Sequence, residues 1–204
     1  MTSFESIKEE LSLRLSGHRF QHTLSVIETA EKIALAIKNQ YPELNQDYLN
    51  KIKLAALLHD CCKEVPNADM IQLANFYGLE TDLADEHFPN LLHARVGAKY
   101  AEDHFEILDP FILKAIEQHT LGAPNMFLSA KILFLADMIE PSRDLDLTQP
   151  SYLSPIRELI YDKQALDKAL LKAMNSKLNH TISKNQLVHP LSIEARNYLI
   201  AVID

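Results

Sequence analysis

The stretch Leu54-Ala55-Ala56-Leu57-Leu58-His59-Asp60 sets an imidazole and a carboxylate at the end of a run of aliphatic residues, too apolar for a surface segment. Ala and Leu at this density read as the buried end of a helix. Burying His and Asp beside them costs roughly 2–7 kcal/mol per uncompensated polar group, and more for a charge. A cation would offset that cost. Outward from this pair the chain offers more donors of the same chemistry: His22 upstream, then His93, His119 and Asp137 downstream, each set in an apolar pattern of helical spacing. Together they make six, enough for two metal ions.

The rest of the chain carries the helical reading outward. Among 204 residues there are only four glycines, and Ala, Leu, Ile, Lys and Glu recur at helical spacing, which predicts an all-α bundle. Helices are expected over about 2–15, 18–39, 46–62, 68–77, 91–106, 110–120, 127–140, 155–178 and 191–203. Asp109-Pro110 and Ser154-Pro155 mark two of the starts, because proline's fixed φ and missing N–H suit the first helical position after a capping side chain. No repeat, low-complexity tract or Gly/Ser linker divides the chain, so residues 1–204 are expected to form one domain, with the polar segment Asp144 to Ser151 separating off a C-terminal extension over about 151–204. The acidic segment Glu80 to Asn90 reads as an irregular loop and one wall of a pocket.

Charge and composition exclude several classes. The net charge is −8, and Lys and Arg are scattered, which argues against a duplex nucleic-acid surface. A small anionic ligand stays open, since a local metal cluster overrides the global sign. The two cysteines, Cys61 and Cys62, are adjacent, a poor geometry for a disulfide, and point to a reducing compartment. Residues Met1 to Glu10 show no basic stretch followed by an apolar one, and no apolar run reaches membrane-spanning length, so a cytoplasmic protein with no membrane partner is expected. Neither a P-loop nor a Rossmann glycine fingerprint is present. The C-terminal stretch with Ile156, Leu159, Ile160, Leu166, Leu170 and Leu171 is expected to pack on the chain's own core, which leaves a homodimer open.

His22 lies four residues before Val26 and eleven before Ile33, so a 3.6-residue period places it on their inward face. His59 and Asp60 diverge by about 100° around a helix, which still lets both reach one cation near its terminus. Asp137 interrupts Ile132-Leu133-Phe134-Leu135-Ala136 and Met138-Ile139, and an ionised carboxylate there needs either a metal or an arginine. His93 opens a helix of small residues, and His119 ends the helix that runs from Phe111. The order His, His-Asp, His, His, Asp thus delivers a donor or pair from each of five helices in chain order, a way to build a di-metal site in a bundle core. Imidazole with carboxylate suits iron, manganese, cobalt, nickel or zinc, and the absence of a thiolate pattern argues against a zinc finger. Asp60 could bridge two ions.

These residues resemble the HD-domain superfamily of metal-dependent phosphohydrolases, whose His, His-Asp and Asp motif is matched by His22, His59-Asp60 and Asp137. The segments Arg19-Phe20-Gln21-His22, Leu57-Leu58-His59-Asp60 with Lys63, Leu91-Leu92-His93 with Gly97-Ala98, Gln118-His119-Thr120 with Gly122, and Lys131 to Arg143 look like the YqeK family within it, the symmetrical diadenosine tetraphosphate hydrolases. The resemblance runs over about 18–145, with a looser echo from His189-Pro190 to Asn197. It implies an HD-domain helical bundle with a di-metal core, one metal held by His22, His59, Asp60 and Asp137, the second by Asp60, His93 and His119, and iron as the usual metal. It also implies phosphate contacts from Arg19, Lys63 and Arg143, to which a hydroxyl from Thr120 can be added, and it sets the polar segment His180 to Asn185 over the nucleotide. Cys61-Cys62 stands where the family often has other small or apolar residues, and no ligand is lost by it.

Two metals roughly 3.5–4 Å apart would generate a hydroxide at neutral pH and polarise a phosphoanhydride, with Asp60 and Lys63 as the catalytic pair of residues. The implied reaction cuts a dinucleoside tetraphosphate into two nucleoside diphosphates. Three alternatives share the ligand set: another HD-domain nucleotide phosphohydrolase, a di-iron HD-domain oxygenase, and a non-catalytic nucleotide sensor.

Overall fold

The computed structural model describes residues 3–145 and 153–203. Within them every regular element is helical. The order is α1 (Phe4–Arg14), α2 (Gly17–Ile37), α3 (Gln46–Leu58), α4 (Asn67–Phe76), α5 (Leu83–His87), a 3-10 turn (Pro89–Leu92), α6 (His93–His104), α7 (Pro110–Gln118), α8 (Leu128–Ile139), a second 3-10 turn (Pro141–Leu145), α9 (Leu153–Tyr161), α10 (Leu166–Ser183) and α11 (Pro190–Val202).

Local sequence sets most of these boundaries. Ser3, Ser16, Asn45 and Asp109 each accept a backbone N–H in the first turn of the helix that follows, which satisfies a donor the helix itself leaves unpaired. Asp109 does so ahead of Pro110, as its sequence predicts. α9 already begins at Leu153, so Pro155 falls in its first turn, where a missing N–H is harmless.

Helix α2 forms the spine. It packs on α3, α8 and α9, while α7 bridges α3, α6 and α8, so the inward faces of α2, α3, α6, α7 and α8 share one interior. α10 packs back on α9 and reaches α8 and α11. One continuous apolar cluster runs from Ile7 and Leu11 through Ile33, Leu57, Ile116 and Leu135 to Ile156, Leu170 and Leu199. No described helix is long and apolar enough to cross a membrane.

Three expectations need correction. α3 stops at Leu58, so His59 and Asp60 sit in the turn beyond it and not inside a helix running to 62. The helix expected over 155–178 is two, parted by a turn in which Gln164 takes φ 50°. No Gly or Pro signals that break; it lets α9 lie on α2 and α8 while α10 returns along α9. The acidic segment 80–90 is ordered locally, since Asp82 and Asp85 form a capping box at the start of α5. The boundary expected at Asp144 to Ser151 falls largely outside the described residues.

Candidate metal centre

Three of the four core histidines occupy the same local position, at or just past the end of a helical turn, and each is tied to the carbonyl three residues back. His59 Nδ1 donates to Ala56 O at 2.7 Å, His93 Nδ1 to Asn90 O at 2.6 Å, and His119 Nδ1 to Ile116 O at 2.7 Å. A carbonyl can only accept, so each Nδ1 carries the proton and each Nε2 presents a lone pair. Local structure thereby sets the tautomer: each ring folds back on the carbonyl three residues before it, and at His93 that carbonyl also accepts the residue's own backbone N–H. His22, in α2, is held differently, with Nδ1 donating to Glu140 Oε1 at 3.0 Å.

The six expected donors converge. His93 Nε2 and His119 Nε2 both approach Asp60 Oδ1, at 3.2 and 3.6 Å, while His22 Nε2 lies 3.1 Å from Asp137 Oδ1 and His59 Nε2 is 3.5 Å from Asp60 Oδ2. Donor atoms of His22, His59 and Asp137 lie within 4.8 Å of one another, and so do those of His59, Asp60 and His119. His93 joins the second group through Asp60 and through a 3.1 Å approach of its Nε2 to His119 Nε2. Asp60 therefore stands between the two halves.

Several features of this arrangement fit metal ions. The Nε2 atoms of His22 and His59 are buried without a well-directed hydrogen bond, an expensive condition for a polar nitrogen in a dry interior. The Nε2 atoms of His93 and His119 face each other at 3.1 Å, and since both rings donate through Nδ1, their lone pairs converge on the same space. A cation relieves both conditions. Each imidazole has its outer nitrogen already fixed by a carbonyl or a carboxylate, the arrangement that orients histidine toward a metal.

The electrostatics divide the histidines. Burial holds His59 and His93 down to about 4, against the pull of Asp60, so both are neutral and ready to ligate at pH 7. Burial also lowers His22, but the neighbouring carboxylates of Asp137 and Glu140 outweigh it and lift the ring to about 9. Burial raises Asp60 and Asp137, yet His59, His119 and His93 bring Asp60 well below the usual carboxylate range, and His22 and Arg143 do the same for Asp137.

The basic residues surround the donors. Arg19, one turn before His22, reaches Asp60 Oδ2 at 2.8 Å, and Arg143 reaches Asp137 Oδ1 at 2.7 Å. Lys63 Nζ lies 3.2 Å from His93 Nε2, and Thr120 Oγ1 is 3.1 Å from the Nε2 of both His93 and His119. Beyond Lys63 and Thr120 opens a cavity of about 280 Å³, lined by Phe88, Leu91 and Phe134 together with α10, Gln186 and Leu187. Thr181, from the segment 180–185 expected near the nucleotide, also lines it.

Two residues of this site escaped the sequence reading. Glu140 is fully buried and accepts from His22, from Ser25 Oγ at 2.8 Å and from Ser142. Burial raises its carboxyl, but these hydrogen bonds prevail and bring it to about 2. Its signal was available, because a Glu that closes an apolar helix just before a proline is a carboxylate placed to be buried. Lys177 lies on α10, outside the stretch that carries the motif, and nothing in its spacing distinguishes it from other lysines of that helix. Lys131, inside the motif-bearing segment, instead pairs with Asp167 at 2.7 Å. Cys61 and Cys62 are buried free thiols and hold none of the donor positions.

Comparison with known proteins agrees with this geometry. Residues 19–142 match the model of the HD domain family. The chain is 32% identical over 196 residues to a Staphylococcus aureus protein named "Bis(5'-nucleosyl)-tetraphosphatase, symmetrical", covering 96% of this chain and 94% of that one. A Halalkalibacterium halodurans protein of the same name is 33% identical, with 91% of each chain covered. A solved structure from Clostridium acetobutylicum, described as a predicted HD superfamily hydrolase involved in NAD metabolism, superposes with a TM-score of 0.86 at 34% identity over 98% of both chains. The chain belongs to the HD-domain family, among the relatives that carry the name symmetrical bis(5'-nucleosyl)-tetraphosphatase.

Proposed function

We propose that this protein is a metal-dependent hydrolase that cleaves diadenosine tetraphosphate symmetrically into two ADP. The observation that carries the reading is the convergence of four Nδ1-protonated histidines and two carboxylates on one interior space, in a chain whose relatives bear the name of that activity. His22, His59, Asp60 and Asp137 would hold one metal, Asp60, His93 and His119 the second, with iron as the metal of choice. Bound there, the metals supply Lewis acidity and a nucleophilic hydroxide at neutral pH.

The chain's own residues do the rest. The backbone carbonyls of Ala56, Asn90 and Ile116 and the carboxylate of Glu140 hold the four imidazoles in their ligating tautomer. Arg19, Lys63 and Arg143 bring positive charge to the mouth of the donor cluster, where a phosphate chain must approach, and arginine offers bidentate contacts to its oxygens. The Thr120 hydroxyl, beside His93 and His119, would donate to the same phosphate. The leaving nucleoside diphosphate is already a stable anion, so it needs charge neutralisation more than a proton. The cavity beside Lys63 and Thr120, apolar on most of its wall, suits a nucleoside. We read residues 1–204 as a single HD domain in which α9 joins the shared apolar core and α10 and α11 complete the pocket, a reading that this core supports.

Chromatography of diadenosine tetraphosphate incubated with metal-loaded protein tests the reaction. ADP as sole product is expected. AMP with ATP, or an intact substrate alongside turnover of another phosphoester, would overturn the symmetrical reading, and oxygen consumption with a non-phosphorylated product would move the site to oxidation.

A further inference from the structure

The cavity holds a cation that neither the family motif nor the metal centre uses. Lys177 lies on α10, outside the residues 19–142 that match the HD family. Its ammonium donates to Thr120 O at 2.7 Å and stands 4.7 Å from the centre of the Phe134 ring. Among the described residues it forms no ion pair with a carboxylate, whereas Lys51, Lys53, Lys99, Lys114, Lys131 and Lys163 all do. Burial pulls it down to about 8, which leaves the ammonium dominant at neutral pH.

A buried ammonium with one carbonyl and one aromatic face as partners leaves donors unused, and among the described residues no carboxylate pairs with it directly. Its remaining space opens into the cavity, shared with Lys63 and Thr120. The nearby Asp60 and Asp137 are already engaged by Arg19, Arg143 and the histidines. What the position lacks is an anion, and the cavity beside the donor cluster is open to one.

We propose that Lys177 is a phosphate-binding residue of the substrate site, contributed by the C-terminal helices. It would meet a phosphate oxygen of the nucleotide half that occupies the cavity, and so make α10 a determinant of which phosphate chains the site accepts. This rests on the nucleotide reading above but not on the reaction being symmetrical.

The test uses the full-length, metal-loaded protein with Lys177→Met and Lys177→Arg, probed with ADP by thermal shift and with diadenosine tetraphosphate by kinetics. Lys177→Met is expected to raise KM about tenfold or more, in keeping with loss of one charge-assisted hydrogen bond. It should abolish most of the ADP-induced rise in melting temperature, leave metal content at the wild-type level, and leave the melting temperature without nucleotide unchanged or higher, since a buried charge with no direct carboxylate partner is gone. Lys177→Arg should recover part of the ADP shift. A Lys177→Met protein with wild-type KM and a full ADP shift overturns the assignment, as does one whose melting temperature falls without nucleotide while the ADP shift persists. Lys177→Gln, which keeps the hydrogen bond to Thr120, replaces the Met variant should that one fail to fold. If the wild type binds ADP but leaves diadenosine tetraphosphate intact, the proposed reaction fails and Lys177 is judged by the ADP shift alone.

Discussion

Glu140 Oε1 stands 3.0 Å from Nδ1 of His22, 118 residues away in sequence, and Glu140 has no exposed surface. The pair joins α2 to the end of α8 and makes His22 the one histidine of the donor cluster whose outer nitrogen is held by a charge instead of a carbonyl. Carboxylate support raises the basicity of a ligating imidazole and fixes its plane.

Glu140→Gln therefore should weaken metal binding without unfolding the protein. A loss of about 10–100-fold in affinity is the usual scale for such outer partners. Calorimetric titration of the metal-free protein with Mn²⁺ checks it; an unchanged affinity would mean that the α2 backbone alone orients His22.

Asp60 and Lys63 should separate metal binding from substrate handling. Asp60 contacts both halves of the donor cluster, so Asp60→Ala should strip metal and abolish turnover. Lys63→Ala should keep the metal content of the wild type and lose activity through substrate handling, because its ammonium borders the cavity and replaces no donor. Metal analysis beside initial rates distinguishes the two variants, and wild-type activity in Asp60→Ala would sink the assignment.

The histidines give the metal-free protein a definite pH dependence. His59 and His93 sit near 4 in the fold against 6.5 in the unfolded chain, so the unfolded chain binds more protons below 6.5 and stability is lost as pH falls toward 4. His22 has the opposite sign: raised to about 9, it contributes stability that is fully present below 6.5 and lost as pH rises through 9. The melting temperature of chelator-treated protein should pass through a maximum near pH 6.5, where these two effects cross. At pH 7 metal uptake should also release about one proton, from His22. Calorimetry in buffers of different ionisation enthalpy measures that proton, and a melting temperature that climbs steadily to about pH 9 would contradict the sign for His22.

Gly122→Ala should be costly in an unusually specific way. The residue has φ +75°, and a Cβ there would stand 2.7 Å from Met174 Cε and 3.1 Å from Ala195 Cβ. Backbone strain and overpacking together cost about 1–3 kcal/mol. Met174 also lines the cavity, so its displacement should raise KM for the nucleotide as stability falls. Thermal unfolding with and without ADP reads both effects.

Much of this was legible one residue at a time. The period of His22 with Val26 and Ile33 placed it inward, and His22 is buried with them. His93 opens α6 and His119 closes α7 as their neighbours imply. The break at Gln164 is not legible, because no Gly or Pro marks it, Asp162 alone is a weak turn signal, and packing against α2, α8 and α11 decides it. His59-Asp60 was placed correctly in depth but not in local form, since a run of Ala and Leu does not say where a helix stops when no Gly or Pro directly follows.

Helical class and the choice of the six candidate donor residues follow from composition and periodicity alone. Both depend on the 3.6-residue period, which is a local property of the chain. The turn that sets the His59 ring on the Ala56 carbonyl, the meeting of the six residues, the contact of Glu140 with His22 and the entry of Lys177 into a cavity where, among the described residues, no carboxylate pairs with it all come from the packing of the chain. Contacts between residues 118 positions apart are set by how whole helices pack on a shared core, and no local period encodes that packing.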